Sequence, residues 1–322
     1  MRRGIFLDFH LIEQQHALEP RREIRMAGHA PRSFGPVVSD VRRQRNYAMT
    51  QEKQEPDITK RKVVFQLPNM DAVSIRRDVD YQSPGSDLLT MDIYYPPDSM
   101  RGDLSPAVVF VLGYSDLGFQ RMLGCKQKDM LSYISWGKLV AASGMVAITY
   151  TTTEPTTDAL TLLRYVRDNC AALGIDKDRI GLWACSGNVP NALWVLMQEN
   201  SVYLKCAVLC YGLMLDLEGA TVVAESAKKW GFVNPCAGKS VTDLQQTAAL
   251  YIVRAGKDET PYLNETIDRF ISQGLKCNLP ITFVNYEIGQ HSFDVMDDSE
   301  TTRELIRRML EFMQYQLLGW ER

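Results

Sequence analysis

The sequence predicts an α/β protein built on one mostly parallel β-sheet with helices on both faces. Short, unbroken apolar runs recur from Pro56 onward, and segments of helical periodicity separate them. A third observation concerns chemistry: Ser186, Asp258 and His291 each lie just after one of those runs.

The elements follow in order. Val63–Gln66 and Val73–Tyr81 read as early strands. Leu89–Tyr95 follows and is stopped by Pro96 and Pro97, so this region reads as an antiparallel meander. The pattern then changes. Ala107–Leu112 is continuously apolar, as a strand buried on both faces must be. Met145–Tyr150, Ile180–Ala184, Cys206–Cys210, Leu250–Arg254 and Ile281–Tyr286 are further runs of that type. Between Tyr150 and Ile180, the residues Ala159, Leu163, Val166, Cys170 and Leu173 share one helical face, and Gly174 stands at a helix C-cap position. A helix is expected from about Val189 to Glu199. Leu305, Met309, Phe312 and Met313 form the inner stripe of a last helix. No internal repeat or low-complexity tract interrupts the alternation.

Composition narrows the class. A chain of 322 residues accommodates one large α/β domain or two small ones. A net charge of −3 argues against a nucleic-acid surface. The seven cysteines lack zinc-finger or redox spacing, which fits free thiols in a reducing compartment. No run approaches the ~18 apolar residues of a membrane span. Asp8, His10 and Glu13 break the apolar start before it resembles a leader, so a cytoplasmic protein is expected. Residues 1–48 differ from the rest: they carry nine Arg, no Lys, three of the four histidines and a charge of +4, against −7 for the remainder. Such a composition buries too little to fold alone. We therefore expect a disordered N-terminal extension over 1–55 and a folded domain over 56–322; a polyanion-binding arm is the alternative.

In open parallel sheets, sites form beyond the carboxyl ends of the strands. After Ile180–Trp183 comes Ala184-Cys185-Ser186-Gly187-Asn188, with a helix following. A serine on a sharp strand-to-helix turn presents its hydroxyl above the sheet, where a helix N-terminus favours developing negative charge. A serine also suits a helix cap. After Tyr251–Arg254 comes Ala255-Gly256-Lys257-Asp258-Glu259. An acid there can hold an imidazole in one tautomer, and the glycine turn favours Asp258 over Glu259. After Ile281–Tyr286 comes Glu287-Ile288-Gly289-Gln290-His291. His291 is the only histidine beyond residue 48, so a histidine base in the folded part can only be this one. The chain order is serine, aspartate, histidine.

These residues carry a resemblance. The run Asp178–Gly187 resembles the nucleophile elbow of α/β-hydrolases. Ala255–Asp258 and Gly289–Asp294 look like the acid and histidine loops of their dienelactone-hydrolase-like and carboxylesterase branches. The resemblance covers about residues 60–318. It implies an eight-stranded sheet with a small cap or long loops, and a Ser186–His291–Asp258 triad that hydrolyses small or medium acyl esters through an acyl-enzyme. It also implies that no cofactor or metal is needed. Ala184 and Asn188 stand where glycines are usual. Cys185 is the rival nucleophile, but centring the elbow on it would put Trp183 where a small residue is wanted.

The backbone amides of Gly187 and Tyr114 are the expected oxyanion donors, the second from the turn Gly113-Tyr114-Ser115-Asp116 after Ala107–Leu112. Two long connections, Tyr114 to about Asp129 and about Leu213 to Gln246, supply Phe119, Trp230 and Phe232. With Cys185 beside the elbow, these are the expected pocket lining; packing of a small cap is their alternative role. The expected partner is a small ester substrate, not nucleic acid or membrane, with a homodimer left open. Competing functional classes are a prolyl-oligopeptidase-type peptidase and a non-catalytic binding protein of the same fold.

Overall fold

Strand pairing in the computed structural model produces one eight-stranded sheet in the order β1-β2-β4-β3-β5-β6-β7-β8. The structure describes residues 57–82, 89–97, 104–198, 201–244 and 248–319. The N-terminal extension expected over 1–55 lies outside them. The strands are β1 (Ser74–Asp80), β2 (Thr90–Tyr95), β3 (Ser105–Phe110), β4 (Val146–Tyr150), β5 (Ile175–Cys185), β6 (Leu204–Cys210), β7 (Ala249–Ala255) and β8 (Ile281–Tyr286). β1 pairs antiparallel with β2, and β2 antiparallel with β4; β3 to β8 are parallel.

The helices are α1 (Asp116–Leu123), α2 (Leu131–Ala142), α3 (Pro155–Asp168), α4 (Cys170–Leu173), α5 (Val189–Leu196), α6 (Val222–Trp230), α7 (Leu263–Lys276), α8 (Phe293–Met296) and α9 (Glu300–Leu318). The order β2-β4-β3-β5 fixes where they go. The chain moves one way from β3 to β4 through α2, then reverses past β3 to reach β5 through α3. Right-handed crossovers therefore put α2 on one face and α3 and α5 on the other. α9 returns to the α2 face, where Gln314 Nε2 donates to the Ser143 carbonyl at 2.8 Å. On the opposite face Asn191 of α5 donates from Nδ2 to Pro155 O (2.9 Å) and Leu112 O (2.7 Å). The reversal makes a crevice at the carboxyl ends of β3 and β5, the place where open sheets of this kind hold their sites.

Five of the six apolar runs are inner strands: β4 is buried throughout, and β3 is buried from Pro106 to Phe110. The sixth, Ile281–Tyr286, is the edge strand β8 and is not buried on both faces; of its residues only Tyr286 is buried. Three further expectations are corrected. Val63–Gln66 is not a strand: the Val63 amide donates to Ser135 Oγ and the Val64 amide to the Asp294 carbonyl, so this segment is tied to a helix and a loop rather than to a ladder. β5 begins at Ile175, five residues before its apolar run, because parallel pairing with β3 starts at Ser105↔Ile175. The helical stripe after Tyr150 is divided into α3 and α4 at Asn169. Gly174 does stand at the C-cap with φ 65°.

A charge cluster with a buried centre, Lys128 and Asp92, and an exposed rim, Arg77 and Asp78, ties the antiparallel edge to the α1–α2 connection. Lys128 Nζ reaches Asp92 Oδ1 at 3.2 Å and Asp78 Oδ1 at 3.1 Å, and Arg77 Nη1 reaches Asp92 Oδ2 at 3.1 Å. The Asp92 side chain is fully enclosed. A charge in that position must be paired, and removing one partner of such a pair costs more than the pair itself contributes. Lys128→Ala is expected to lower the unfolding free energy by about 3 kcal/mol, read from urea denaturation followed by circular dichroism.

Candidate active site

Ser186 follows β5 directly and has φ 54°, in the left-handed region that costs a non-glycine residue about 1–3 kcal/mol. Ser186–Asn188 form a single 3₁₀ turn before α5, which carries Pro190 in its first turn. The strained turn is held from the β3 side. A Cβ at Gly113 would lie 2.5 Å from the Gly187 carbonyl oxygen, and a Cβ at Gly187 would lie 2.5 Å from the Tyr114 phenol oxygen and 2.8 Å from Phe232 Cδ1. Backbone leaves no room for a Cβ at Gly113, and one at Gly187 would have to displace the Tyr114 and Phe232 rings.

Asn188, which replaces the usual second glycine, clamps the two turns. Its Oδ1 accepts from the Gly113 amide (2.6 Å) and from Gln127 Nε2 (3.4 Å), and its Nδ2 donates to the Tyr133 phenol oxygen (3.0 Å). Nothing in the residue's position after a strand announced this role. The other departure, Ala184, is fully buried in β5 opposite Leu209.

His291 comes to the serine from the loop after β8. Its Nε2 is 2.9 Å from Ser186 Oγ, and its Nδ1 is 2.6 Å from Asp258 Oδ2. A carboxylate only accepts, so Nδ1 carries the proton and Nε2 faces the serine hydroxyl with its lone pair. Asp258 Oδ1 takes the Thr260 amide at 2.9 Å. Burial alone would raise the Asp258 carboxyl; the His291 and Thr260 hydrogen bonds outweigh it and hold the group below the usual aspartate value. Glu259 is exposed. Two backbone bonds join the acid and histidine loops: the Gly256 amide donates to Tyr286 O (2.7 Å) and the Lys257 amide to Gly289 O (2.8 Å). A Cβ at Gly256 would meet the Glu287 carbonyl oxygen at 2.5 Å, which explains the glycine before the acid.

The expected pocket residues divide. Phe119 and Phe232 pack edge-on against Tyr114, at centroid distances of 5.6 and 5.8 Å. The Val233 amide donates to Gly113 O at 2.8 Å and fixes the Phe232 segment over the elbow. Asp116 pins the other side: its amide donates to Thr152 O (2.7 Å) and its Oδ2 accepts from the Thr152 amide (3.1 Å). Burial raises the Tyr114 phenol, keeping it a donor. Trp230 ends α6, half-buried, with the Lys229 ammonium 4.6 Å from its ring centre. The Cys185 thiol is engaged by Tyr211, Tyr133 and Asn188. Burial and the nearby Asp294 carboxylate push it up to about 12. A thiol so protonated is a poor nucleophile, which favours Ser186 as the reactive atom of the elbow. Among the described residues no cluster of ligating side chains could hold a metal.

Two further residues were not singled out beforehand. Tyr211, just after β6, packs its ring edge-on against His291 at 4.9 Å. Asp294 accepts from the Tyr211 phenol at 2.6 Å. Tyr211 follows a strand end as the other site residues do, so its place was available as a signal.

Solved structures share this arrangement of strands and helices. A fungal esterase from Rhizomucor miehei superposes with a TM-score of 0.60 at 15% identity, over 76% of this chain and 84% of that one. The fold is that of the α/β hydrolases. A thermophilic esterase from the planctomycete Thermogutta terrifontis gives 0.56 at 18% identity, over 79% of this chain and 95% of that one. An α/β-hydrolase enzyme from a Medee basin deep-sea metagenome library gives 0.52 at 19% identity, over 76% and 98%. No protein-family model matches the chain, and no curated protein does. Within the α/β-hydrolase fold described here, no helix among the described residues is long and apolar enough to cross a membrane.

The clamp gives a direct test. Asn188→Gly restores the usual elbow glycine yet strips the Gly113 amide of its acceptor. It is expected to cost about 1–3 kcal/mol in denaturant unfolding and to speed hydrogen exchange at the Gly113 amide.

Proposed function

We propose that this protein hydrolyses small or medium carboxylic esters through an acyl-enzyme on Ser186. The observation that carries the reading is the continuous line Asp258 Oδ2–His291 Nδ1 (2.6 Å) and His291 Nε2–Ser186 Oγ (2.9 Å), with the serine in the left-handed backbone region. His291 takes the Ser186 proton as Oγ adds to the ester carbonyl. Asp258 stabilises the imidazolium, and the Gly187 and Tyr114 amides hold the oxyanion. The proton on Nε2 passes to the departing alkoxide, which leaves as the alcohol. Water then adds to the acyl-enzyme, giving its proton to His291, and the collapsing intermediate returns Ser186 and releases the acid.

The rings at Tyr114 and Phe232, which close directly over Gly187 with Phe119 packed behind Tyr114, support a short acyl group. Structures of the Thermogutta terrifontis esterase with propionate and with butyrate bound are in keeping with that size. The histidine and acid loops favour the dienelactone-hydrolase-like and esterase branches.

Ser186→Ala is expected to lower kcat for p-nitrophenyl acetate by at least about 10⁴-fold and to abolish labelling by a fluorophosphonate. Adding His291→Ala should cost little more, because the pair acts as a unit. Labelling that persists in Ser186→Ala overturns the assignment. On a series of p-nitrophenyl esters, Phe232→Ala is expected to raise the octanoate-to-acetate rate ratio about 10-fold; an unchanged ratio removes Phe232 from the acyl pocket.

A further inference from the structure

We propose that Tyr211 and Asp294 form a second positioning arm for His291, in which the buried Asp294 carboxylate holds the Tyr211 phenol and the Tyr211 ring holds the imidazole. The inference deepens the ester-hydrolase reading and rests on it for the direction of proton transfer.

The geometry asks for such an arm. Hydrogen bonds to the two ring nitrogens are directed along the ring's own plane, so by themselves they restrain its tilt about the line joining the partners only weakly. A contact on the ring itself removes that freedom. Tyr211 supplies it, at 4.9 Å between centroids and 61° between planes. Tyr211 has φ 35°, a costly backbone state that persists only where its surroundings over-determine it. Here they do. Its amide donates to Val253 O (2.8 Å), its ring meets Phe293 at 5.3 Å, and its phenol donates to Asp294 Oδ1 at 2.6 Å. The second carboxylate oxygen, Oδ2, accepts from Trp136 Nε1 of α2 at 2.7 Å. The Trp136 and Asp294 side chains lie in the interior. The arm thus runs from the core helix α2 through Asp294 and Tyr211 to the imidazole. It closes on itself, because Asp294 lies three residues after His291 on the same loop and helix.

The arm also carries charge. Facing Asp294 are Tyr211 from the end of β6, Trp136 and Tyr133 from α2, the thiols of Cys185 (β5) and Cys210 (β6), and His291. Of these only His291 becomes a cation. Facing His291 are Ser186, Tyr211, Asp258 and Asp294. Burial raises the Asp294 carboxyl above its usual value, and the Tyr211 and Trp136 donors offset only part of that rise. When ionised, Asp294 favours the imidazolium that forms as Ser186 attacks, adding to the effect of Asp258.

Three variants of the full chain test this. Tyr211→Leu removes ring and phenol; it is expected to lower kcat on p-nitrophenyl acetate about 10- to 100-fold with KM within about threefold. Tyr211→Phe restores the ring and should recover a large part of that loss. Asp294→Asn removes the charge. It should move the acidic limb of kcat/KM, and the midpoint of the His291 titration followed by ¹⁵N NMR, to lower pH by about half a unit. The His291 signal is assigned by its loss in His291→Gln. A merely structural role would lower the melting temperature and leave both the limb and the midpoint in place. The proposal is overturned if kcat in Tyr211→Leu stays within about twofold of wild type, or if the midpoint in folded Asp294→Asn does not move. Should Asp294→Asn fail to fold, the two Tyr211 variants decide the matter. The NMR titration needs no substrate. A wild-type protein that hydrolyses no ester overturns the functional reading, while the titration still judges the arm.

Discussion

The close approach of two turns, one after β3 and one after β5, is the constraint on which the rest of the site depends. The sheet order forces the chain to reverse between these neighbouring strands, which leaves a crevice above their ends. Gly113 faces the backbone of Gly187 and Asn188, and Gly187 faces the Tyr114 phenol and the Phe232 ring. Two missing side chains therefore allow contact that any Cβ would prevent. The amide oxygen of Asn188 fastens that contact. The strained backbone of Ser186, the aromatic wall of Phe119 and Phe232, and the positions of the Gly187 and Tyr114 amides follow from it.

Three enclosed carboxyl groups, two beside the histidine and one at the antiparallel edge, keep a donor on each oxygen. Asp258 has the Thr260 amide and His291, Asp294 has Trp136 and Tyr211, and Asp92 has Arg77 and Lys128. In an interior of low dielectric, a half-satisfied carboxylate would cost several kcal/mol and would not hold its neighbours in place. The same interior that raises the Cys185 thiol encloses the groups that line up Ser186 and His291. The fixed geometry and the raised thiol thus share one cause.

The parallel strands were legible because burial on both faces leaves an uninterrupted apolar run, and β3, β4, β6 and β7 are such runs. Ser186, Asp258 and His291 were legible because each follows a strand and because His291 has no competitor beyond residue 48. The structure does bring these three within hydrogen-bond distance. The segment at Val63–Gln66 misled because apolar residues there pack beneath a loop without a ladder. The charged start of β5, Asp176–Arg179, was invisible to a pattern that counts apolar residues. Asn188 and Asp294 were read for what they replace or adjoin. Their work is done across 75 and 83 residues of sequence, with Gly113 and Tyr211, and no local pattern encodes a partner that distant.

The two backbone bonds that join Gly256 and Lys257 to Tyr286 and Gly289 hold the Asp258 and His291 loops side by side without using either of those side chains. Asp258 and His291 are 33 residues apart, and most of that interval is α7 and β8. Asn264 in the first turn of α7 adds a bond of its own, from Nδ2 to Ala255 O at 2.9 Å. The start of that helix is therefore tied to the strand end before Asp258, while the exposed residues of its far turn can change in sequence without touching the bonds that space Asp258 from His291.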